Sequence, residues 1–213
     1  MNRSETEIRE LLPALTIPRP FPEVYTPEEV ERILSVPGLR VEHRTMLITL
    51  YASGLRVDEI CRLKVTDIQS WRMRIRVQQE TTQNERYAIL SPELLIILRN
   101  YWRIFRPSVW LFTSPRDREE PVHPVSMYRS FNRAIEIAGL PSRGGIHSLR
   151  HSFAVHMLES GMDLQTLQRF LGHRWIIPTS IYIHLMRQGL SEIKNPLGLL
   201  HPHQAADESE GAL

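Results

Sequence analysis

Cysteine and lysine are almost missing from this chain of 213 residues: Cys61 is its one cysteine, and Lys64 and Lys194 are its only lysines. A single cysteine excludes an internal disulfide framework and fits a reducing compartment. Long apolar runs are missing too. None approaches the roughly 18 residues that read as a membrane-spanning helix, and the opening "MNRSETEIRELLPALTIPRP" has no apolar signal segment. The expected location is therefore the cytoplasm, with no membrane partner. No internal repeat or low-complexity block is visible, which sets solenoid architectures aside.

With lysine so scarce, the positive charge is carried by arginine, whose planar fork suits bidentate phosphate contacts. GC-rich coding explains the bias equally well. The formal net charge is +2, yet Asp207, Glu208 and Glu210 lie in the tail "HQAADESEGAL", and without those three carboxylates the rest carries about +5. A polyanionic partner fits such a body, although charge alone does not require one. At 42% hydrophobic, the chain has material for one substantial core.

Residues 1–25 are proline-rich and poorly patterned, and read as a short arm rather than a separate domain. "TPEEVERIL" opens with a capping box, Thr26 reaching forward and Glu29 back, with Pro27 at the first helical position. "EHRTMLITLYASG" has helical spacing and stops at Gly54, a left-handed cap, so Arg56 stands at the entrance of the next short helix, "RVDEICRL". From Arg72 the period changes to two: Met73, Ile75 and Val77 face one way, Arg72, Arg74 and Arg76 the other. This predicts a strand, the polar turn "QETTQNE", and a return strand "RYAIL".

A helix is predicted from Ser91 through "ELLIILRNYWRIF", then a buried extended run, "VWLF". Further helices are predicted over Ser126 to Ala138, Ser148 to Ser160 and Leu164 to Leu171, with a last one from Pro178. The fold class is mainly α with a small antiparallel β-sheet. Residues 26–200 form the expected domain, and residues 201–213 a disordered acidic tail.

"GGIHSLRHSFAVHMLESG" crowds His147, Arg150, His151 and His156 together. His147 and His151 are four apart and share a helix face, but His156 lies about 140° round from His151. Without an HExxH glutamate or a cysteine pair, a zinc site has little support, and neither metal nor cofactor is expected. His151 and His156 read as packing and support.

Taken in order, "YASGLRVDEICRL", "HSLRHSFAVH", "LGH" and "IYIHL" resemble the signature of the tyrosine recombinases, the phage-integrase type of site-specific DNA recombinase. The resemblance runs from about Thr26 to about Leu200, and implies that family's DNA breaking-rejoining fold. "LSPELLIILRNYWR" and "IKNPLGLL" look like the small integrases found beside insertion-sequence transposases. Carried over, the resemblance implies that Tyr182 attacks the scissile phosphodiester to form a 3′-phosphotyrosyl link. It implies that Arg56 and Arg150 grip the non-bridging oxygens, which an in-line phosphoryl centre needs. His147 would assist proton transfer at the tyrosine, and His173 would hydrogen-bond the phosphate. Glu59 matches a family acid with a positioning role, although a carboxylate at a helix start explains it equally.

One departure stands out. The family carries a lysine in the turn of the small sheet, where it enters the minor groove and protonates the departing 5′ oxygen. Aligned on "ERY" that position is Thr81; aligned without gaps from Arg56 it is Glu80. Neither is a cationic acid. Relatives also carry an amino-terminal helical domain that about 25 residues cannot supply. DNA affinity is then expected to lean on Arg72, Arg74, Arg76, Arg86 and Arg143 and to fall steeply with salt, a solvated strand face being the plain alternative.

Two readings follow. One is an active recombinase on double-stranded DNA, working as a dimer or tetramer and leaving room for a partner recombinase. The other is a catalytically impaired, recombinase-like DNA-binding accessory protein.

Overall fold

The computed structural model describes residues 22–78 and 85–186. The arm before residue 22, the turn holding Glu80 and Thr81, and the acidic tail lie outside the described residues. The packed body takes in the residues just ahead of Thr26. Tyr25 is fully buried, its N–H donates to Ser152 Oγ at 2.8 Å, and its hydroxyl donates to the Pro141 carbonyl at 3.0 Å.

Helix α1 (Pro27–Ser35) has the predicted cap: Thr26 Oγ1 accepts from Glu29 N, and Glu29 Oε2 accepts from Thr26 N at 2.9 Å. Helix α2 (Val41–Ser53) is the central rod, packed against α4, α5 and α6, whose ranges follow below. Its polar side chains survive burial by bonding backwards along the helix: Thr45, Thr49 and Ser53 each donate to the carbonyl four residues before. It ends at Gly54, whose φ of +63° is left-handed. Helix α3 (Val57–Cys61) follows at once, with Arg56 as its N-cap residue. Cys61 is buried there, its thiol pushed up to about 12 by burial, which leaves it chemically inert.

The sheet differs from expectation. It has three antiparallel strands, β1 (Ile68–Gln69), β2 (Arg74–Val77) and β3 (Arg86–Ile89), in that order. A two-residue strand carries no readable period, so β1 was not visible in the sequence. Ile75 and Val77 face inward as predicted, but Met73 does not. It closes a 3-10 turn (Ser70–Arg72) at φ +48°, so β2 begins at Arg74 and Arg72 lies off the strand. On β3 the register pairs Val77 with Arg86 and Ile75 with Ala88, which puts Arg86 on the buried face.

Helices α4 (Pro92–Phe105), α5 (Pro124–Ala138), α6 (His147–Glu159) and α7 (Leu164–Leu171) complete the body, all within two residues of expectation. "VWLF" is only half buried: Leu111 and Phe112 are inside and Val109 is exposed. The last segment is α8 (Ile177–Ser180), running into a 3-10 turn (Ile181–Leu185) that carries Tyr182.

The apolar interior falls into two clusters joined through α6. The larger includes Leu47, Leu50, Phe112, Phe131, Ile146 and Leu149. The smaller holds Phe153, Ala154, Val155, Leu158, Leu167, Leu171 and Tyr182. Arg150 and His151 sit on α6 between Leu149 and Phe153, at the seam. Full burial of each large side chain contributes roughly 1.5–3 kcal/mol, so α6 fixes the two halves to each other.

Gly54 is required twice over. Its backbone is left-handed, and a Cβ there would stand 2.4 Å from the Phe153 ring. Gly38, at φ +75°, has open space instead. Gly54→Ala is expected to cost about 2–5 kcal/mol, combining left-handed strain with overpacking, against about 1–2 for Gly38→Ala. Urea unfolding checks the pair, and equal losses would remove the role given to Phe153.

Candidate active site

A helix leaves its last carbonyls without intrahelical partners and carries partial negative charge there. Two such ends, those of α2 and α7, converge on α6. Arg150 answers both: Nη1 donates to the Gly54 carbonyl at 2.6 Å, and Nη2 to the Leu171 carbonyl at 2.7 Å. The neighbouring Phe170 carbonyl accepts from Arg86 Nη1. Gly172, like Gly54, is left-handed and crowded, and a Cβ on it would stand 2.4 Å from Arg86 Cδ. The glycine of "LGH" thus makes room for Arg86, as the glycine of "ASGLR" does for Phe153.

One carboxylate organises these cations. Glu59 accepts from the Arg56 backbone N–H at 2.7 Å, from Arg56 Nη1 at 3.2 Å and from Arg86 Nη2 at 2.5 Å, with Arg150 Nη1 at 3.9 Å. Burial alone would push its pKa up, but Arg86, the Arg56 N–H and Arg150 together hold it below its ordinary value. Three guanidiniums face one carboxylate, so the cluster keeps positive charge in excess. Arg86 and Arg150 are 8% and 7% exposed, whereas Arg56 is 43% exposed and presents that charge outward. Burial, then the nearness of Arg56, pushes Arg150 down to about 10, still charged at neutral pH.

His173 closes this edge of the site as a neutral imidazole. Its Nε2 lies 3.4 Å from Arg150 Nη2 and its Nδ1 2.8 Å from Thr179 Oγ1, a fully buried hydroxyl. Because a guanidinium only donates, Nε2 is the acceptor and Nδ1 carries the proton. Burial, then Arg150, Arg56 and Arg86, pushes His173 down to about 4.

Tyr182 is 3% exposed, and its hydroxyl is 2.9 Å from His151 Nδ1. Burial raises its pKa, and the Arg150 and Arg56 charges pull against that. His151, pushed down to about 4 by burial and then by His147 and Arg150, is neutral. His147 is elsewhere: exposed at the start of α6, with Nε2 3.3 Å from the Tyr128 hydroxyl. The expected contact between His147 and the tyrosine is therefore replaced by one from His151. Tyr182 docks on the smaller apolar cluster, which begins one turn further into α6, so the imidazole within reach is the one at i+4. His156, expected as support, bonds the Tyr51 hydroxyl at 2.8 Å.

The structure thus brings together Arg56, Arg150, His173 and Glu59, with Tyr182 on His151, the residue next to Arg150, and within the field of Arg150 and Arg56. The arginines expected to meet DNA are more dispersed. Arg86 faces inward and is consumed by Glu59, a correction that follows from the β3 register. Arg76 pairs with buried Asp67 at 2.9 Å, and Arg143 pairs with Glu29 at 2.5 Å. Arg74 lies over the Tyr87 ring at 3.6 Å, and Arg72 over Trp71 at 4.1 Å. Sequence reasoning missed Thr179 and the structural use of Arg86. The strand period, carried onto "RYAIL", was the one signal for Arg86. Among the described residues no three His, Cys, Asp or Glu side chains are grouped to hold a metal ion.

Glu59→Gln leaves buried Arg86 uncompensated and is expected to cost about 3–5 kcal/mol, with a smaller loss when Arg86→Met is already present. Additive losses in urea unfolding would dissolve the pairing. His151 and His173 are held near 4 against about 6.5 when unfolded. Between those values the unfolded chain binds protons that the fold refuses, so stability falls as pH drops. The urea midpoint is expected to be lower at pH 5 than at pH 7.5, and an unchanged midpoint would show that these imidazoles are not held neutral.

Residues 23–188 match the phage integrase family. A putative integrase/recombinase of Sinorhizobium fredii, y4eF, is 40% identical over 194 residues, taking in 90% of this chain and 75% of that one. The tyrosine recombinase XerA of Pyrococcus furiosus is 34% identical over 187 residues, 86% of this chain and 65% of that protein. The crystal structure of XerA recombinase superposes with a TM-score of 0.70 at 24% identity, over 88% of this chain and 66% of that one. XerH bound to its palindromic difH substrate gives 0.69 at 23% identity, over 81% and 52%. The chain thus spans from about half to three quarters of the length of these proteins. Matched along most of its own length in sequence and in fold, the chain belongs to the phage integrase family, and its described body is a tyrosine recombinase catalytic domain.

Proposed function

We propose that this chain is a site-specific DNA recombinase, cleaving and rejoining double-stranded DNA through a 3′-phosphotyrosyl intermediate. The observation that carries the reading is the Glu59-centred cluster, which leaves the charge of Arg56, Arg150 and Arg86 in excess beside a tyrosine. Charge developing on an in-line phosphoryl centre is stabilised by preorganised donors that need no reorganisation. Arg150, held by two carbonyls, is such a donor, and the more open Arg56 is the one a phosphate meets first. Tyr182 is the nucleophile of this reading, and the phosphotyrosyl link keeps the bond energy for religation. His173 hydrogen-bonds the phosphate. His147 stands exposed at the start of α6, its Nε2 3.3 Å from the Tyr128 hydroxyl. The partners are double-stranded DNA and further copies of the chain, a dimer or tetramer on DNA, with room for a partner recombinase. The setting is a mobile element, by the resemblance of "LSPELLIILRNYWR" and "IKNPLGLL", and the place of action is the cytoplasm.

A second reading rests on one sequence observation. Neither Thr81 nor Glu80 supplies the family's turn lysine, and a general acid is worth about 10²–10⁴ in rate. An impaired DNA-binding accessory protein would show that loss in full.

The test is trapping on a nicked suicide substrate drawn from DNA flanking the gene. A denaturant-resistant protein–DNA adduct is expected from the unaltered chain and not from Tyr182→Phe, with noncovalent binding equal in both. An adduct that persists in Tyr182→Phe removes Tyr182 as nucleophile. DNA binding without any adduct supports the accessory reading, and recovery of the adduct in Thr81→Lys or Glu80→Lys would locate its defect.

A further inference from the structure

Helix α6 begins without a side-chain cap, since Ile146 at its N-cap offers none. Two glycines stand just ahead of it, Gly144 at φ +68° and Gly145 at φ +76°, both with open space where a Cβ would point. Consecutive left-handed glycines in open space make a joint, because no packed neighbour opposes a change in their backbone angles. His147, the histidine that resemblance assigns to proton transfer at Tyr182, is the second residue after that joint. A reacting group misplaced by about 1 Å can lose about 10²-fold in rate. A joint at this place therefore needs a restraint from outside the first turn of α6.

Tyr25 supplies one on both sides of the glycines. Ahead of them, its hydroxyl donates to the Pro141 carbonyl at 3.0 Å and accepts from the Arg143 N–H at 3.1 Å. Beyond them, its own N–H donates to Ser152 Oγ, inside α6, at 2.8 Å. Ser152 Oγ in turn donates to the Ser148 carbonyl at 2.8 Å, and Ser148 Oγ to the Gly145 carbonyl at 2.6 Å. The hydrogen bonds thus run from one side of the Gly144–Gly145 pair, through Tyr25, to the other. Arg143 closes the clasp from outside: its guanidinium donates to the Val24 carbonyl at 3.0 Å and to Glu29 at 2.5 Å, and lies 5.1 Å from the centre of the Tyr25 ring. We propose that Tyr25 is a positioning residue, which fixes His147 for proton transfer at Tyr182 by bracing the Gly144–Gly145 joint. This role rests on the recombinase reading of the chain.

Ordinary core packing does not account for the arrangement. Packing alone would be served by phenylalanine, since the Tyr25 ring meets Phe131 edge-on at 6.3 Å and needs no oxygen for that. The hydroxyl spends both of its bonds on the loop that carries the joint, one at Pro141 and one at Arg143. Tyr25 and Ser152 are fully buried and Ser148 is 1% exposed, so the bonds among them are shielded from water and hold their geometry. The next residues of α6 have a different anchor, the guanidinium of Arg150 on the ends of α2 and α7. Between that anchor and the glycines lies the short stretch that holds His147. The Tyr25 clasp therefore acts on the part of α6 that Arg150 does not reach, and Arg143, expected from the sequence to meet DNA, is used to keep the clasp shut.

The experiment is a double-mutant cycle on the full chain. Tyr182-dependent adduct formation is timed on the suicide substrate in the unaltered chain, Tyr25→Phe, His147→Ala and the two combined, each at the DNA concentration that saturates it. A radiolabelled substrate keeps losses of about 10²–10⁴-fold, the range for a proton-transfer group, measurable. Tyr25→Phe is expected to form the adduct about 10–10²-fold more slowly than the unaltered chain, and to add no further slowing once His147 is alanine. Arg143→Gln, which opens the clasp from its partly exposed side, is carried alongside in case Tyr25→Phe folds poorly, and the same non-additivity is expected of it. An unchanged rate in Tyr25→Phe would overturn the role. So would an equal fold-loss with and without His147, the mark of a residue that only supports the fold. If the unaltered chain forms no Tyr182-dependent adduct, the recombinase reading itself fails and takes this role with it.

Discussion

The carboxylate of Glu59 is the constraint on which the rest of the structure depends. Among the described residues it is the one carboxylate paired with Arg56, Arg86 and Arg150, and each guanidinium comes from a different part of the chain: the entrance of α3, strand β3 and the first turn of α6. Burying two arginines would be prohibitive without it, because a desolvated charge costs several kcal/mol even after relaxation. Glu59 does not neutralise the cluster, however. The balance is met by the carbonyl ends of α2 and α7, partial charges that fix geometry without cancelling a full unit. What remains is a preorganised cationic site whose unmet requirement is an anion with several oxygens, the description of a backbone phosphate.

The same arrangement explains why part of the site was legible in the sequence and part was not. A glycine that must be left-handed is visible as a residue type, so the stop at Gly54 and the entrance at Arg56 could be placed from the sequence. The capping box of α1 is equally local and equally legible. Arg150, His173 and Tyr182 were picked out by resemblance, since no local rule singles them out. Arg86 was misread as a surface cation because an arginine in a strand is ordinarily outward. Its burial depends on a carboxylate 27 residues away in sequence and on the Phe170 carbonyl, neither of which a strand period contains. Met73 failed for a different reason: three residues of 3-10 turn precede β2, and their end at positive φ interrupts an alternation that looked continuous.

The contact of Tyr182 with His151 rather than His147 is the feature of the site least legible in the sequence. Helical spacing put the two imidazoles on one face of α6, and that was right as far as it went. Which of them meets the tyrosine is decided by where the 3-10 turn docks, and that is a packing question. Tyr182 enters the cluster formed by Phe153, Val155, Leu167 and Leu171. Apolar burial thus chooses the register of a polar contact. The cost is access: a tyrosine 3% exposed has to be uncovered before a phosphodiester can reach it. The segment that holds it is short, with Trp175, Ile177 and Ile183 largely exposed nearby, so much of its apolar surface gains little from the present docking.

The arginines of the sheet narrow the question of what protonates the leaving oxygen. A strand cation close to the missing lysine would be the natural substitute, yet Arg86 is engaged by Glu59 and Phe170, and Arg76 by Asp67. Arg74 stands over Tyr87 with its Nε on Gln69. Even a released guanidinium is a weak acid for this purpose, because its pKa lies far above the working pH. On the recombinase reading, the chemistry these cations are arranged for is therefore concentrated on the non-bridging oxygens of the phosphate. A site so weighted speeds nucleophilic attack and leaves departure to solvent, which makes the strength of phosphate binding, set by Glu59 and the two helix ends, the main lever on its rate.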